Sequence, residues 1–344
     1  MTRRHILALT GGGLLSRIIA APLPDAGGRK IYQVDRLIEE NFSDRGSADC
    51  RLEARKYSAC ATVTLFSIPL VSRSSVGSGY AVVEESKTPG GNAFSIQFGA
   101  GSYPERARGL NRLGFVQEAI VEKQPGEPIQ CAWLAFMTNS QEKSLEQAKK
   151  ALETSDSWIG YSASQGYGQR GRFASRVERL QFPASYTWRD ADQLIDRVRG
   201  AMTLGTSEEQ TPTPSTGKPA TFLYQIRRAM SDEAARTTSC LVFNNKQFRL
   251  DAEKERDGQA TSHFVQKGLI QPSGHVIRMN AALVEKRTGE KSSFRLWYEA
   301  GAGHAPPLRF EYQARSFLRL TFEADANAPA PAIRFALKAS KENT

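Results

Sequence analysis

The 344-residue chain is poor in the residues that usually announce chemistry. It holds four cysteines and four histidines. No two cysteines stand at a C-x-x-C spacing, so a thiolate metal site has no obvious ligand set. His263, His275 and His304 are isolated, and no H-x-x-x-H or H-x-x-E-H run brings two imidazoles onto one helix face. The nucleophile-elbow pattern G-x-S-x-G is absent, with Ser102 in Gly99-Ala100-Gly101-Ser102 the nearest approach, and it reads as a turn. Gly77-Ser78-Gly79 lacks the third glycine of a dinucleotide loop, and Gly217-Lys218 runs into Pro219 where a phosphate loop needs Ser or Thr. These gaps leave no catalytic residue and no cofactor to name. No apolar run approaches the roughly 20 residues needed to cross a bilayer as a helix, so no transmembrane segment is expected in the mature chain.

What is present begins at the N-terminus. Arg3 and Arg4 precede an apolar stretch from Ile6 to Leu15, and Ala20-Ala21 follow Arg17. A basic head, an apolar middle and small residues at the end form an export signal over residues 1–21, and the double arginine suits the twin-arginine route. The expected destination is the periplasm or the exterior. The net charge is +10, with arginines spread along the chain rather than bunched. Such a surface serves solubility, and no nucleic-acid-binding signature accompanies it, so nucleic acid is not an expected partner. An oxidising compartment permits bridges among Cys50, Cys60, Cys131 and Cys240. Sequence does not choose among the three pairings, of which Cys50 with Cys60 closes the shortest loop, or free buried thiols.

The body of the chain alternates in strand fashion. Ala61, Val63 and Leu65 interleave with threonines, and strands are expected at 80–83, 94–98, 115–121, 131–137 and 173–182. Pro89-Gly90-Gly91 and Pro125-Gly126 mark turns. Ser140 is expected to cap a helix carrying Leu145, Ala148 and Leu152. Thr187 caps another, with Asp190 as its acidic partner and Ala191, Leu194, Ile195, Val198 and Met202 as its apolar stripe. Residues 156–172, rich in Gly, Ser and Tyr, read as a mobile loop. Residues 203–218 read as a flexible linker between a 50–202 part and a 219–338 part, the latter opening with a helix that carries Phe222, Leu223, Ile226 and Met230. Hairpins follow around Asn244-Asn245 and Thr288-Gly289. In the last pair of strands Leu308, Phe310, Tyr312, Leu318, Leu320 and Phe322 are expected on one face, with Ala314-Arg315-Ser316 as the turn. The predicted fold class is α+β, a curved antiparallel half-barrel with covering helices.

Two places resemble a known family. Lys218-Pro219-Ala220-Thr221-Phe222-Leu223-Tyr224-Gln225-Ile226-Arg227-Arg228 is similar to the Pro-x-x-x-Leu-Tyr-x-Leu-Arg helix of the bacterial domain of unknown function 3108 family. Phe294-Arg295-Leu296-Trp297-Tyr298, Pro307-Leu308-Arg309-Phe310-Glu311 and Leu318-Arg319-Leu320 look like its closing strands. The resemblance spans about 218–323, loosely 57–98, and leaves 99–170 without a counterpart. It implies an envelope protein grouped with periplasmic lipoprotein-localisation carriers, whose concave half-barrels hold acyl chains. No catalytic residues come with it.

The expected function is therefore a non-enzymatic carrier of a hydrophobic or lipid-like envelope ligand, with a lipid or lipoprotein ligand and an envelope protein as possible partners. Candidate ligand-binding residues are Phe310, Tyr312 and Leu320 on the apolar face, and Arg106, Arg108 and Arg112 in the loop 99–112, where they could hold an anionic head group. The same loop could instead be a structural connection pinned by ion pairs between Glu105 and these arginines. Two other classes compete. One is an envelope hydrolase acting on glycan or ester through Ser102, Glu105 or the Glu84-Glu85 pair. The other is an assembly scaffold using a sheet edge or the loop 99–112.

Overall fold

A computed structural model of the chain describes residues 33–42, 50–65, 68–88, 90–139, 157–202, 209–211, 220–244, 246–315 and 318–329. The export segment, the Ser140 helix and residues 316–317 of the last turn lie outside these ranges.

One antiparallel sheet of fourteen strands carries the fold. Its strands are β1 (Cys50–Leu65), β2 (Ile68–Thr88), β3 (Gly91–Ser102), β4 (Leu113–Glu122), β5 (Pro128–Thr138), β6 (Trp158–Gln169), β7 (Arg172–Pro183), β8 (Glu209–Thr211), β9 (Arg236–Phe243), β10 (Lys246–Arg256), β11 (Val276–Glu285), β12 (Lys291–Glu299), β13 (Arg309–Arg315) and β14 (Leu318–Ala324). Each strand pairs with its successor except β8, which does not pair with β9. The first and last strands pair with each other, Ala59 opposite Phe322, and the edges are left at β8 and β9. The sheet curls until those edges approach, giving a nearly closed barrel. At the seam Ala220 forms a single parallel bridge to Leu241.

Period-two alternation fixes what lies inside. Phe98 of β3 meets Phe310 of β13 edge-on at 4.9 Å, and Trp133 of β5 lies 6.1 Å from Phe243 of β9. These rings cross the barrel, so their shared face is the concave one. On it Val83, Phe94, Ile96, Val116 and Ile120 join Trp133 from one wall, and Leu250, Met279 and Leu296 come from the other.

The convex face is covered by helices. Helix α1 (Gln33–Asn41) buries Val34, Leu37 and Ile38, and α2 (Ala191–Ala201) buries Ala191, Leu194 and Val198 against the outside of β2–β7. Ile195 packs beside them and Met202 closes the stripe, as its helical spacing predicts. Complete burial of an aliphatic side chain such as Leu194 stabilises by about 1.5–3 kcal/mol. A 3₁₀ turn, Trp188–Asp190, leads into α2. Thr187 caps the turn, accepting from the Arg189 amide while its own amide donates to Asp190 Oδ2 at 3.0 Å. Helix α4 (Gly258–Gln266), which the sequence pattern does not reveal, covers the outside of β11–β14 through Ala260 and Phe264.

Three expectations change. The segment 156–172 is mostly strand β6, because Gly166 and Gly168 are there to admit neighbours rather than to confer looseness. A Cβ on Gly166 would sit 2.0 Å from the Trp133 ring, and one on Gly168 would meet both Phe173 and Cys131. Two residues of the expected last turn are strand instead. Both Ala314 and Arg315 belong to β13, and the register slips between Gln313 and Arg315. Leu308, just ahead of β13, parts from Phe310 and packs with Trp297 and Phe264 under α4. As for the cysteines, no disulfide joins any of the four among the described residues. Cys50 and Cys60 share β1, ten residues or about 33 Å apart along a strand, far beyond the roughly 7 Å a disulfide can span.

Candidate functional site

The third helix, α3 (Phe222–Ser231), is the element that gives the concave face its character, because it lies inside the barrel. Phe222 touches Phe243 and Phe294, and Tyr224 touches Phe94, so the helix bridges the two walls beside the seam. The residue before its first turn, Thr221, supplies no side-chain cap. Glu118 of β4 does so from across the interior, accepting from the Leu223 amide at 2.9 Å and the Tyr224 amide at 3.0 Å. A carboxylate at a helix N-terminus satisfies donors that the helix itself cannot. Two further contacts fasten the helix. The Tyr224 hydroxyl donates to Glu122, which also accepts from the Gly126 amide. Arg227 pairs with Glu85 at 3.0 Å and lies over the Phe94 ring at 4.1 Å.

This interior is expensive for charge. Glu118 is fully enclosed, and burial pushes its carboxyl up to about 7 from an ordinary 4.5, even though the hydrogen bonds from the helix amides pull it down. Burial raises Glu122 as well. The clue in the sequence was the strand 113–122 itself. Val116, Glu118, Ile120 and Glu122 share one face, and two acids among apolar neighbours on a core face require partners.

Helix α3 runs toward one end of the barrel, where Ser231 Oγ donates to the Gly303 carbonyl. The opposite end carries the C-terminal ends of β1 and β13 and the loop 103–112. There the concave face comes to the surface through apolar side chains. Val71, Met137, Val177 and Tyr312 all lie on it, and they are 58%, 60%, 44% and 41% exposed. The register places Val71 opposite Val63, and Tyr312 opposite Leu320, which in turn faces Ala61 and Arg73 across β1. Phe310 lies deeper, stacked on Phe322 at 4.5 Å with Tyr57 edge-on at 5.2 Å. The three apolar candidates therefore share one wall, from the half-buried Phe310 and Leu320 to the exposed Tyr312.

The loop arginines divide. Arg106 is exposed at the same end, and its carbonyl accepts from Arg73 Nη1 at 3.1 Å. Arg108 is exposed with a φ of 53°. Arg112 turns instead toward the convex face, its Nη1 donating to the Asn111 carbonyl and its charge acting on Tyr161. The loop is firmly held. Ser102 Oγ donates to the Leu110 carbonyl at 2.6 Å and accepts from the Arg112 amide at 2.8 Å, while Asn111 Nδ2 reaches the carbonyls of Ala184 and Tyr186. Glu105 pairs with Arg189 beside α2 rather than with the loop's own arginines. Ser102 is thus committed to its turn. Glu84 and Glu85, adjacent on β2, point to opposite faces and do not converge on one bond. Asp190 is engaged by Thr187. Among the described residues no group of three or more His, Cys, Asp or Glu is placed to hold a metal ion.

No family model matches the chain, that of the domain of unknown function 3108 family included, and no curated protein matches it. Among solved structures the chain is similar to the crystal structure of a beta-barrel-like protein of domain of unknown function DUF1849 from Brucella abortus. The TM-score is 0.42 and the identity 7%, over 80% of this chain and 97% of that one.

Proposed function

We propose that the protein is a non-enzymatic periplasmic binding protein that carries a hydrophobic or lipid-like envelope ligand on the concave face of its barrel. The observation that carries this reading is the surfacing of that face at one end through Val71, Met137 and Tyr312. A contiguous apolar surface continuous with the core is a feature of ligand-binding grooves. The ligand's apolar part would lie along Leu320, Tyr312 and Phe310, and Arg73 and Arg106 at the rim would face its polar end. Helix α3, fastened by Glu118, Glu122 and Glu85, packs between the two walls beside the seam.

Titration with a fluorescent polyene fatty acid tests this directly. Wild type should take up the probe with saturable fluorescence. Leu320→Asp, which puts a charge on the wall, should lower affinity at least tenfold with the melting temperature checked in parallel. Equal uptake by both proteins, or none by wild type, overturns the reading.

A further inference from the structure

The convex face of β9–β14 carries a groove of about 570 Å³ that the carrier reading does not use. Its volume falls within the roughly 300–1,000 Å³ of ordinary small-ligand sites. The groove exists because the side chains at its middle are small. Ala282 and Ser293, cross-strand partners on β11 and β12, form the floor, while Arg295, Glu311 and Asn280 rise on one side.

Charge pairing within the groove leaves a remainder. Each acid that lines it already has a cation: Glu253 with Arg236 at 2.7 Å, Asp251 with Arg249 at 2.9 Å, and Glu311 with Arg295 at 2.6 Å. Two lining cations, Lys291 and Arg319, have no carboxylate partner among the described residues. Arg319 is the more telling. Its Nε is shut off from solvent and meets no hydrogen-bond acceptor. A guanidinium does not lose its proton, so an enclosed N–H of this kind costs free energy until an acceptor arrives. Arg319 stands opposite Gln313 on β13, that row continues to Ser293 on β12, and Lys291 lies two residues further along, so the two cations are ~12 Å apart across the sheet. Both side chains are long enough to lean over Ser293 toward one group.

We infer that this groove is a binding site for a phosphate ester, with Arg319 and Lys291 holding the phosphate and the Ser293 hydroxyl donating to it. Two cations and a hydroxyl exceed what a single carboxylate can engage, whereas a phosphate offers three terminal oxygens. The same chemistry belongs to a soluble sugar- or glycerol-phosphate and to a lipid head group at a membrane surface. The site lies on the opposite face of the sheet from the side chains of the apolar wall, and Tyr312 is the residue common to the two.

The test uses the full-length protein in calorimetric titrations with glycerol 3-phosphate and with glycerol, and in sedimentation with phosphatidylcholine vesicles with and without phosphatidic acid. Binding of glycerol 3-phosphate but not glycerol is expected, weakened at least tenfold by Arg319→Gln and by added salt. It should be preserved in Lys87→Gln, at an exposed lysine of β2, and Arg319→Lys should recover part of it. If the free ester binds and phosphatidic acid vesicles do not, the ligand is a soluble ester. If the vesicles bind through Arg319, it is a head group. Absence of binding to either, or binding that Arg319→Gln leaves unchanged in a protein of wild-type melting temperature, overturns the assignment.

Discussion

Replacing Glu118 by Gln isolates the buried carboxylate at the head of α3. Its carboxyl titrates at about 7 in the fold against 4.5 ordinarily. The folded state therefore holds the proton more tightly than the unfolded state. Between these two values the fold carries a proton that the unfolded chain has released, and stability must fall as pH rises through that window. At about 1.4 kcal/mol for each pH unit, the wild type should lose about 3 kcal/mol between pH 4 and pH 8 through this group alone. Glutamine resembles the protonated acid in shape and charge and keeps one carbonyl for an α3 amide. Glu118→Gln should thus match wild type near pH 4 and exceed it by about 3 kcal/mol near pH 8. Urea unfolding of both proteins across that range reads the difference directly, since every other titrating group is common to the two. Parallel stability curves would refute the reasoning, and a variant weaker than wild type at pH 8 would show that the second helix amide depends on the ionised carboxylate.

Other consequences follow from the packing and from the ion pairs. Gly166→Ala should destabilise by at least about 1–3 kcal/mol, because its Cβ would meet the Trp133 ring at 2.0 Å, and thermal melts will show it. The Glu323 carboxyl, set among Lys267, His263 and Arg309, titrates at about 2 in spite of its partial burial. The stabilisation it gives to α4 is fully present above the ordinary 4.5 and is lost as pH falls toward 2, so acid should release α4, and Glu323→Gln should flatten that part of the unfolding profile. Thiol titration of the native protein should modify Cys50 and Cys60 readily, with Cys131 and Cys240 reacting only on unfolding.

The strands were legible where one face is dry and the other wet. Alternation at 61–65, 94–98 and 318–322 reports its own period, and the stripe from Ala191 to Met202 likewise names its buried side. Strand β6 was not legible because its inward positions are Ser162, Ser164, Gly166 and Gly168, small residues chosen to admit Trp133 and Phe173 from neighbouring strands. Local composition reads such a segment as loop, since the reason for its glycines lies in another part of the chain. Helix α4 escaped notice because only Ala260 and Phe264 of its nine residues are buried, too few to make a stripe. The interior placement of α3 was beyond reach for a related reason. Its stripe of Phe222, Ile226 and Met230 says that the helix packs, whereas its polar partners Glu85, Glu118 and Glu122 sit a hundred or more residues earlier. Of the candidate site, Phe310, Tyr312 and Leu320 were readable as one face, and the glycine-rich loop was readable as over-specified. That Arg112 turns away while Arg106 stays at the rim depends on hydrogen bonds to Ser102 and Asn111 that no spacing encodes.

The central claim, that the concave face holds an apolar molecule, is tested most directly by mass spectrometry of organic extracts from protein purified without detergent. The account predicts an acyl-chain molecule recovered in near-stoichiometric amount from wild type and much reduced in Leu320→Asp. A wild-type protein that is folded, extracts empty, and takes up no fatty acid afterwards would contradict it.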